Sequence, residues 1–278
     1  MRALTALVLT LVALSPAAAL ATGPYGSRTE ASAKEDLALA LGVAPELVVS
    51  ARAYDLPPGA KHPGFVLGRY RERPERPWTF PALGLYHRCK LGTCIASVHL
   101  GPAAEQLVPL AVVDLDAPTS ALPIDRDPTW HLRDVPGPLR ARWPALAIAV
   151  DRQQPPGGGP ERLTSAIDLV VVSLRDGAKP VVLFEHDLHR RWADATEEEM
   201  RGPSPRPPGA TVGARLEALR FERVGDERRI VLTSRPIDSR WNGCLRSRAH
   251  EAVFAYAPGP PPRYRELPSS EPPPLPCH

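Results

Sequence analysis

The sequence predicts a mainly β protein: about a dozen short antiparallel strands, in hairpins or a meander, forming two packed, sandwich-like sheets with one N-terminal helix. Three observations lead there. Beyond residue 45 the apolar residues recur mostly with the two-residue period of a half-buried strand. The runs are punctuated by 35 Pro and 20 Gly in 278 residues, too few for a disordered low-complexity chain and, with 43 % apolar residues, compatible with a buried core. Only one stretch carries a strong helical signal.

Met1 to Ala21 has the layout of a secretory signal peptide. Arg2 supplies the positive end, Leu4 to Leu14 the apolar segment, and Ala19-Leu20-Ala21 an A-x-A cleavage site before Thr22. The apolar run is too short to span a bilayer and Pro16 breaks it. No later run of apolar residues is long enough for a transmembrane anchor. An N-terminal lipid anchor would need a cysteine at the cut, and the first is Cys89.

Removing the signal takes away Arg2 and no acid, leaving the mature chain with a formal charge of +2 from the +3 of the whole. That balance provides no long-range field for nucleic acid, and export makes such a partner implausible. The arginine excess over lysine and the single asparagine, Asn242, follow from GC-rich codons and need no function. In both respects the chain resembles exported proteins of high-GC bacteria, a resemblance that implies no activity.

The helix begins after Thr29. Ser32 and Glu35 read as a capping box, Leu37 and Leu41 share a face, and Gly42 stops it ahead of Pro45. Strands follow at Glu46–Leu56, Gly64–Arg71, Leu83–Arg88, Ile95–Leu100 and Gln106–Leu115. Residues 117 to 144 carry six prolines (118, 123, 128, 136, 138 and 144), so no central strand runs through them. They read as an irregular crossing between two lobes, 22–116 and 145–267.

The second half reads as hairpins: Ala145–Val150; Ile167–Leu174 with Pro180–Glu185; Leu216–Val224 with Arg229–Ser234; and Ala252–Ala257 with Arg263–Leu267. Gln153–Pro160 and Gly202–Gly209 are linkers, residues 194–202 one helical turn, and 268–278 a proline-rich tail. A propeller of even six blades would need about twice as many strands.

Phe221-Glu222-Arg223-Val224-Gly225-Asp226-Glu227-Arg228-Arg229-Ile230-Val231-Leu232-Thr233-Ser234 resembles a degenerate repeat of the FG-GAP or VCBS type. The resemblance implies a strand-turn-strand shape. It implies no calcium, because of the acidic ladder only Asp226 and Glu227 remain.

Four cysteines in an exported chain favour disulfides. Three connectivities are possible; Cys89 and Cys94 flank a four-residue Gly-containing turn that favours their bridge, which leaves Cys244 to Cys277 and would pin the tail. Loop-closure entropy gives the short bridge about 2 kcal/mol and the long one nearer 4 kcal/mol. The rival is a zinc site from these thiols and His278, for which only the Cys89–Cys94 spacing is suitable.

Three groups could carry chemistry. Glu185-His186-Asp187-Leu188-His189 is the densest set of potential metal ligands, but it continues a strand, where His186 and His189 point to opposite faces. The ordinary reading is a polar strand end. Asp114 and Asp116 share a face and could serve a hydrolase acting on envelope polymer, though they lie too close together to act without a partner across a cleft. Arg240, Trp241, Arg246 and Arg248, with Arg235 and only Asp238 as counter-charge, form a basic patch suited to an anionic envelope polymer or an acidic protein. Arg69, Arg71, Arg73 and Arg76 alternate with Glu72 and Glu75 and read as a neutralised surface.

No nucleophile elbow, zincin motif, phosphate loop or dinucleotide fingerprint occurs, and no cofactor is expected. The sequence therefore points first to a non-enzymatic exported binding or interaction protein. The alternative is a hydrolase whose carboxylate and histidine site assembles in space.

Overall fold

The computed structural model describes residues 25–56, 61–90, 92–122, 141–153, 163–175, 179–192, 211–238 and 249–268. The expected signal peptide, the expected helical turn at 194–202, the expected Arg240–Arg248 patch, Cys244, Cys277 and most of the expected linkers and tail lie outside them.

The helix, α1, spans Glu30–Leu41. Its cap is Thr29 and not Ser32: the Thr29 hydroxyl accepts from the Ser32 N–H at 3.2 Å, so Ser32 already lies in the first turn. Gly42 ends the helix at φ +68°, a conformation that costs glycine nothing.

Among the described residues thirteen strands follow: β1 Val48–Asp55, β2 Gly64–Tyr70, β3 Phe80–Cys89, β4 Gly92–His99, β5 Ala104–Asp114, β6 Thr119–Leu122, β7 Pro144–Arg152, β8 Leu163–Ser173, β9 Val181–Trp192, β10 Thr211–Val224, β11 Glu227–Asp238, β12 His250–Ala257 and β13 Arg263–Glu266. The chain is thus mainly β, as its periodicity predicts. Differences fall mostly at strand ends. Pro81 lies inside β3, at its second residue, and Pro109 inside β5, an edge strand where a missing N–H is tolerated. The proline-rich crossing also begins with a strand, since β6 pairs with Leu219–Glu222 of β10. It is short and lies off the main strand path of the sheet.

Among the described residues all pairings are antiparallel and make two sheets. The first runs β1-β2-β3-β4 and the second β13-β12-β11-β10-β9-β8-β7-β5. Because β5 pairs with β7, the chain changes sheet between His99 and Ala104, ahead of the proline-rich stretch.

Three apolar clusters set the layering. Ala33, Leu37 and Ala38 of α1 pack on Ala51, Val66, Ala82 and Tyr86 of the first sheet. Its other face, through Phe65, Leu67, Leu83 and Leu85, meets Leu146, Ile148, Val170 and Val172 of the second. Ala145, Ala147, Leu169 and Val171 point the other way and pack with Phe221, Ile230, Leu232 and Phe254. The second sheet therefore folds back on itself near β9 and β10, which among the described residues pair through Arg190 and Arg191 with Val212 and Thr211. Helix, first sheet and the two halves of the second sheet form successive layers. Strands β7 and β8 are covered on both faces, which is why they read as nearly continuous apolar runs.

Candidate functional site

A cleft of about 520 Å³ opens where the edge of the first sheet meets the edge of the second. Ser50, Arg52 and Tyr54 alternate along β1 and so share a face, opposite Leu67 and Arg69 of β2. Glu105, Leu107 and Val108 of β5 form the facing wall, and Arg28 and Glu30 close one end.

The charges are unequally occupied. Arg28 is paired with the buried Asp36 and lies 5.1 and 5.4 Å from the Tyr25 and Tyr86 ring centres. Glu30 reaches Lys34 at 3.0 Å. Arg69 donates through Nε to Ser50 Oγ at 3.2 Å; partial burial pulls its pKa down, and nearby Glu105 opposes this. Arg52 lies 5.4 Å over the Tyr54 ring, and its side chain is exposed at the cleft. An anion entering there would meet a guanidinium that pays little desolvation and another already half out of water. Behind the wall, Asp151 stands opposite Gln106. Burial raises its carboxyl above the ordinary aspartate range, and the charge of Glu105 raises it further.

The sequence-predicted residues are placed differently. Asp114 is buried, and its carboxylate accepts from three backbone amides: Asp116 and Trp143 at 3.0 Å and Arg142 at 3.1 Å. It ties the end of β5 to the start of β7. Asp116 does not share a strand face with it, because β5 ends at Asp114 and Asp116 lies in the turn, paired with Arg228. Both border a hollow with Arg142 and Arg223, which His186 does not line.

His186 and His189 are not a strand end running into a loop; β9 continues through them to Trp192. The His186 ring packs 5.8 Å from Phe184 and 5.1 Å from Phe254, and burial pulls its pKa down against the charges of Glu266 and Asp168. Asp114 pairs with Pro144, whereas His186 opposes Leu169, itself opposite Ala149. Five residues of strand, ~17 Å, separate the two levels, so these carboxylates and this imidazole do not converge. Among the described residues, no three His, Cys, Asp or Glu side chains gather as metal ligands would.

Cys89 and Cys94 form a disulfide, with Cα atoms 5.9 Å apart. The bridge does not flank a four-residue turn. Cys89 opposes Gly92 and Cys94 opposes His87, so it runs diagonally across the β3–β4 hairpin, whose strands already pair at Cys89 and Gly92. Residues 221–234 form a strand-turn-strand over Gly225-Asp226, with Asp226 held by Arg223 at 3.0 Å and Glu227 paired with Arg229. Arg69 is a cleft residue facing Ser50 and Glu105, not part of the surface that alternates with Glu72 and Glu75.

Sequence reasoning missed a polar network, centred on the buried Arg152–Asp168 pair, at the connection between the two sheets. Arg152, at the end of β7, pairs with Asp168 and Glu185 and also donates to the Leu100 and Pro102 carbonyls at 2.8 and 3.0 Å. The available signal was an arginine and an aspartate at apolar-face positions of adjacent strands.

No protein-family model, curated protein or solved structure matches the chain.

Proposed function

We propose that the chain is an exported, non-catalytic binding protein of the bacterial envelope that takes an anionic ligand in the cleft between β1, β2 and β5. The observation that carries this reading is the pair Arg52 and Arg69 on one wall, set among Tyr54, Leu67, Leu107 and Val108. Guanidinium groups bordered by apolar surface suit the carboxylate or phosphate groups of an envelope polymer or an acidic protein. The commitment of Asp114 to backbone amides, of Asp116 to Arg228 and of His186 to aromatic packing supports the non-catalytic side. Export rests on the A-x-A-terminated apolar segment at the N-terminus.

Titration with poly-L-glutamate and with polyphosphate at low and high salt tests the reading. Binding should weaken as salt rises, and Arg52→Ala combined with Arg69→Ala should lower affinity about tenfold, two charge-assisted contacts being lost. Binding that the double variant leaves intact overturns the assignment of the cleft.

One observation favours a second reading, a hydrolase of envelope polymer. Glu105 lines the cleft, and burial together with the charge of Glu105 raises the neighbouring Asp151 carboxyl, the direction a general acid requires. Release of reducing ends from envelope polysaccharide that Glu105→Gln abolishes would favour this reading over the first.

A further inference from the structure

The two sheets end in edge strands β1, β4, β5 and β13, and three of these are blunted. Strand β1 carries an exposed Arg52 and a bulge between Val48 and Ser50, and the Tyr25 and Gly26 amides bond the Asp55 carboxylate at its end. Strand β5 has Pro109 and two register shifts, between Ala104 and Gln106 and between Pro109 and Ala111. Strand β13 is four residues long and reads Arg-Tyr-Arg-Glu. Bulges, prolines, charges and shortness are the devices by which sheets avoid edge-to-edge pairing.

Strand β4 has none of them. From Gly92 to Val98 it carries no charged side chain and no proline, and it pairs with β3 through all eight positions without a shift. Among the described residues no strand pairs with its outer edge. The Cys89–Cys94 disulfide braces the hairpin that presents it, and Ser97 Oγ donates to the Ala40 carbonyl at 2.8 Å, fixing the strand against α1. A regular, rigid edge of this kind is already arranged for strand pairing.

We propose that β4 is a dimerisation edge, and that its occupant is β4 of a second copy of this chain. Neutrality selects the partner: a charged segment would find no counter-charge between Gly92 and Val98, whereas the same segment meets itself antiparallel without like-charge contact. A two-fold axis at Ala96 sets Ala96 against its mate, Ile95 against Ser97 and Cys94 against Val98. Each pair then joins residues of the same sheet face, Ile95 and Ser97 lying on the helix side and Val98 on the side toward the second sheet. The product is a continuous eight-stranded sheet with both α1 helices on one face. Because β1 is at the opposite edge of the first sheet, the cleft stays open in the dimer. The inference is independent of what the cleft binds.

Sedimentation velocity of the purified protein over a concentration series, with amide hydrogen exchange at low and high concentration, tests it. The expected results are a mass that rises from one chain to two and protection of β4 amides that grows with concentration. Ala96→Lys should weaken the dimer about tenfold through like charges at the axis, as should Ala96→Glu. Mixing the two variants should restore a heterodimer, which a mere folding defect would not allow. A chain that stays monomeric at every concentration overturns the proposal, as does a dimer that neither single variant weakens.

Discussion

Arg152 and Asp168 form a buried ion pair on the neighbouring strands β7 and β8, their side chains 6 % and 9 % exposed. The guanidinium is almost fully used: Nε meets Asp168, Nη1 takes the Leu100 and Pro102 carbonyls, and Nη2 reaches Glu185 Oε1 at 2.6 Å. One side chain thus ties the connection between the two sheets to the interior of the second. Arg152→Ala should lower unfolding free energy by about 3 to 5 kcal/mol, because Asp168 is left as an uncompensated buried charge. Chemical denaturation measures this. The double variant Arg152→Met with Asp168→Leu should recover part of the loss.

Gly101 lies within that connection at φ +86°, and a Cβ there would come within 3.0 Å of Arg152 Nη2 and 3.1 Å of Glu185 Oε1. Gly101→Ala therefore combines left-handed backbone strain with a push on the network. A loss of about 1 to 2 kcal/mol is expected, against a gain of several tenths at a glycine with ordinary backbone angles.

Asp151 gives a pH signature. Burial, and then the charge of Glu105, raise its carboxyl in the folded chain above its unfolded value. A raised carboxyl contributes stability that is fully present below the unfolded pKa and is lost as pH rises through the folded one. Asp151→Asn should therefore be more stable than the parent at neutral pH, with the difference vanishing in acid below the ordinary aspartate range. Unfolding curves at both pH values check this, and an NMR titration of Glu105→Gln should show the Asp151 carboxyl moving back down.

The Cys89–Cys94 bridge closes a short loop within one hairpin. Cys89→Ala with Cys94→Ala should cost about 2 kcal/mol by loop-closure entropy. Thermal unfolding of this variant beside the parent reads the loss.

What the sequence made legible was whatever depends on local periodicity. The apolar runs of β2 and β5, the Gly42 stop and the Gly225-Asp226 turn are local, and each corresponds to an element of the fold. The helix cap slipped by three residues because Thr29-x-x-Ser32 and Ser32-x-x-Glu35 both resemble caps, and tertiary placement of Asp36 under Tyr86 and Arg28 settles which one forms. The site was less legible. Arg52, Arg69 and Glu105 come from three strands and two sheets, and nothing local marks them as neighbours. Asp114 looked like half of a carboxylate pair because its partners are backbone amides, 28 and 29 residues away at Arg142 and Trp143, which leave no trace in side-chain spacing.

The central claim, that an anion enters the cleft between β1, β2 and β5, is tested most directly by mapping backbone amide shifts as poly-L-glutamate is added. The account predicts changes concentrated at Ser50–Tyr54, Leu67–Arg69 and Glu105–Val108, absent in the variant combining Arg52→Ala and Arg69→Ala. Shifts that instead gather around Arg240–Arg248 and leave the cleft amides unmoved would contradict it.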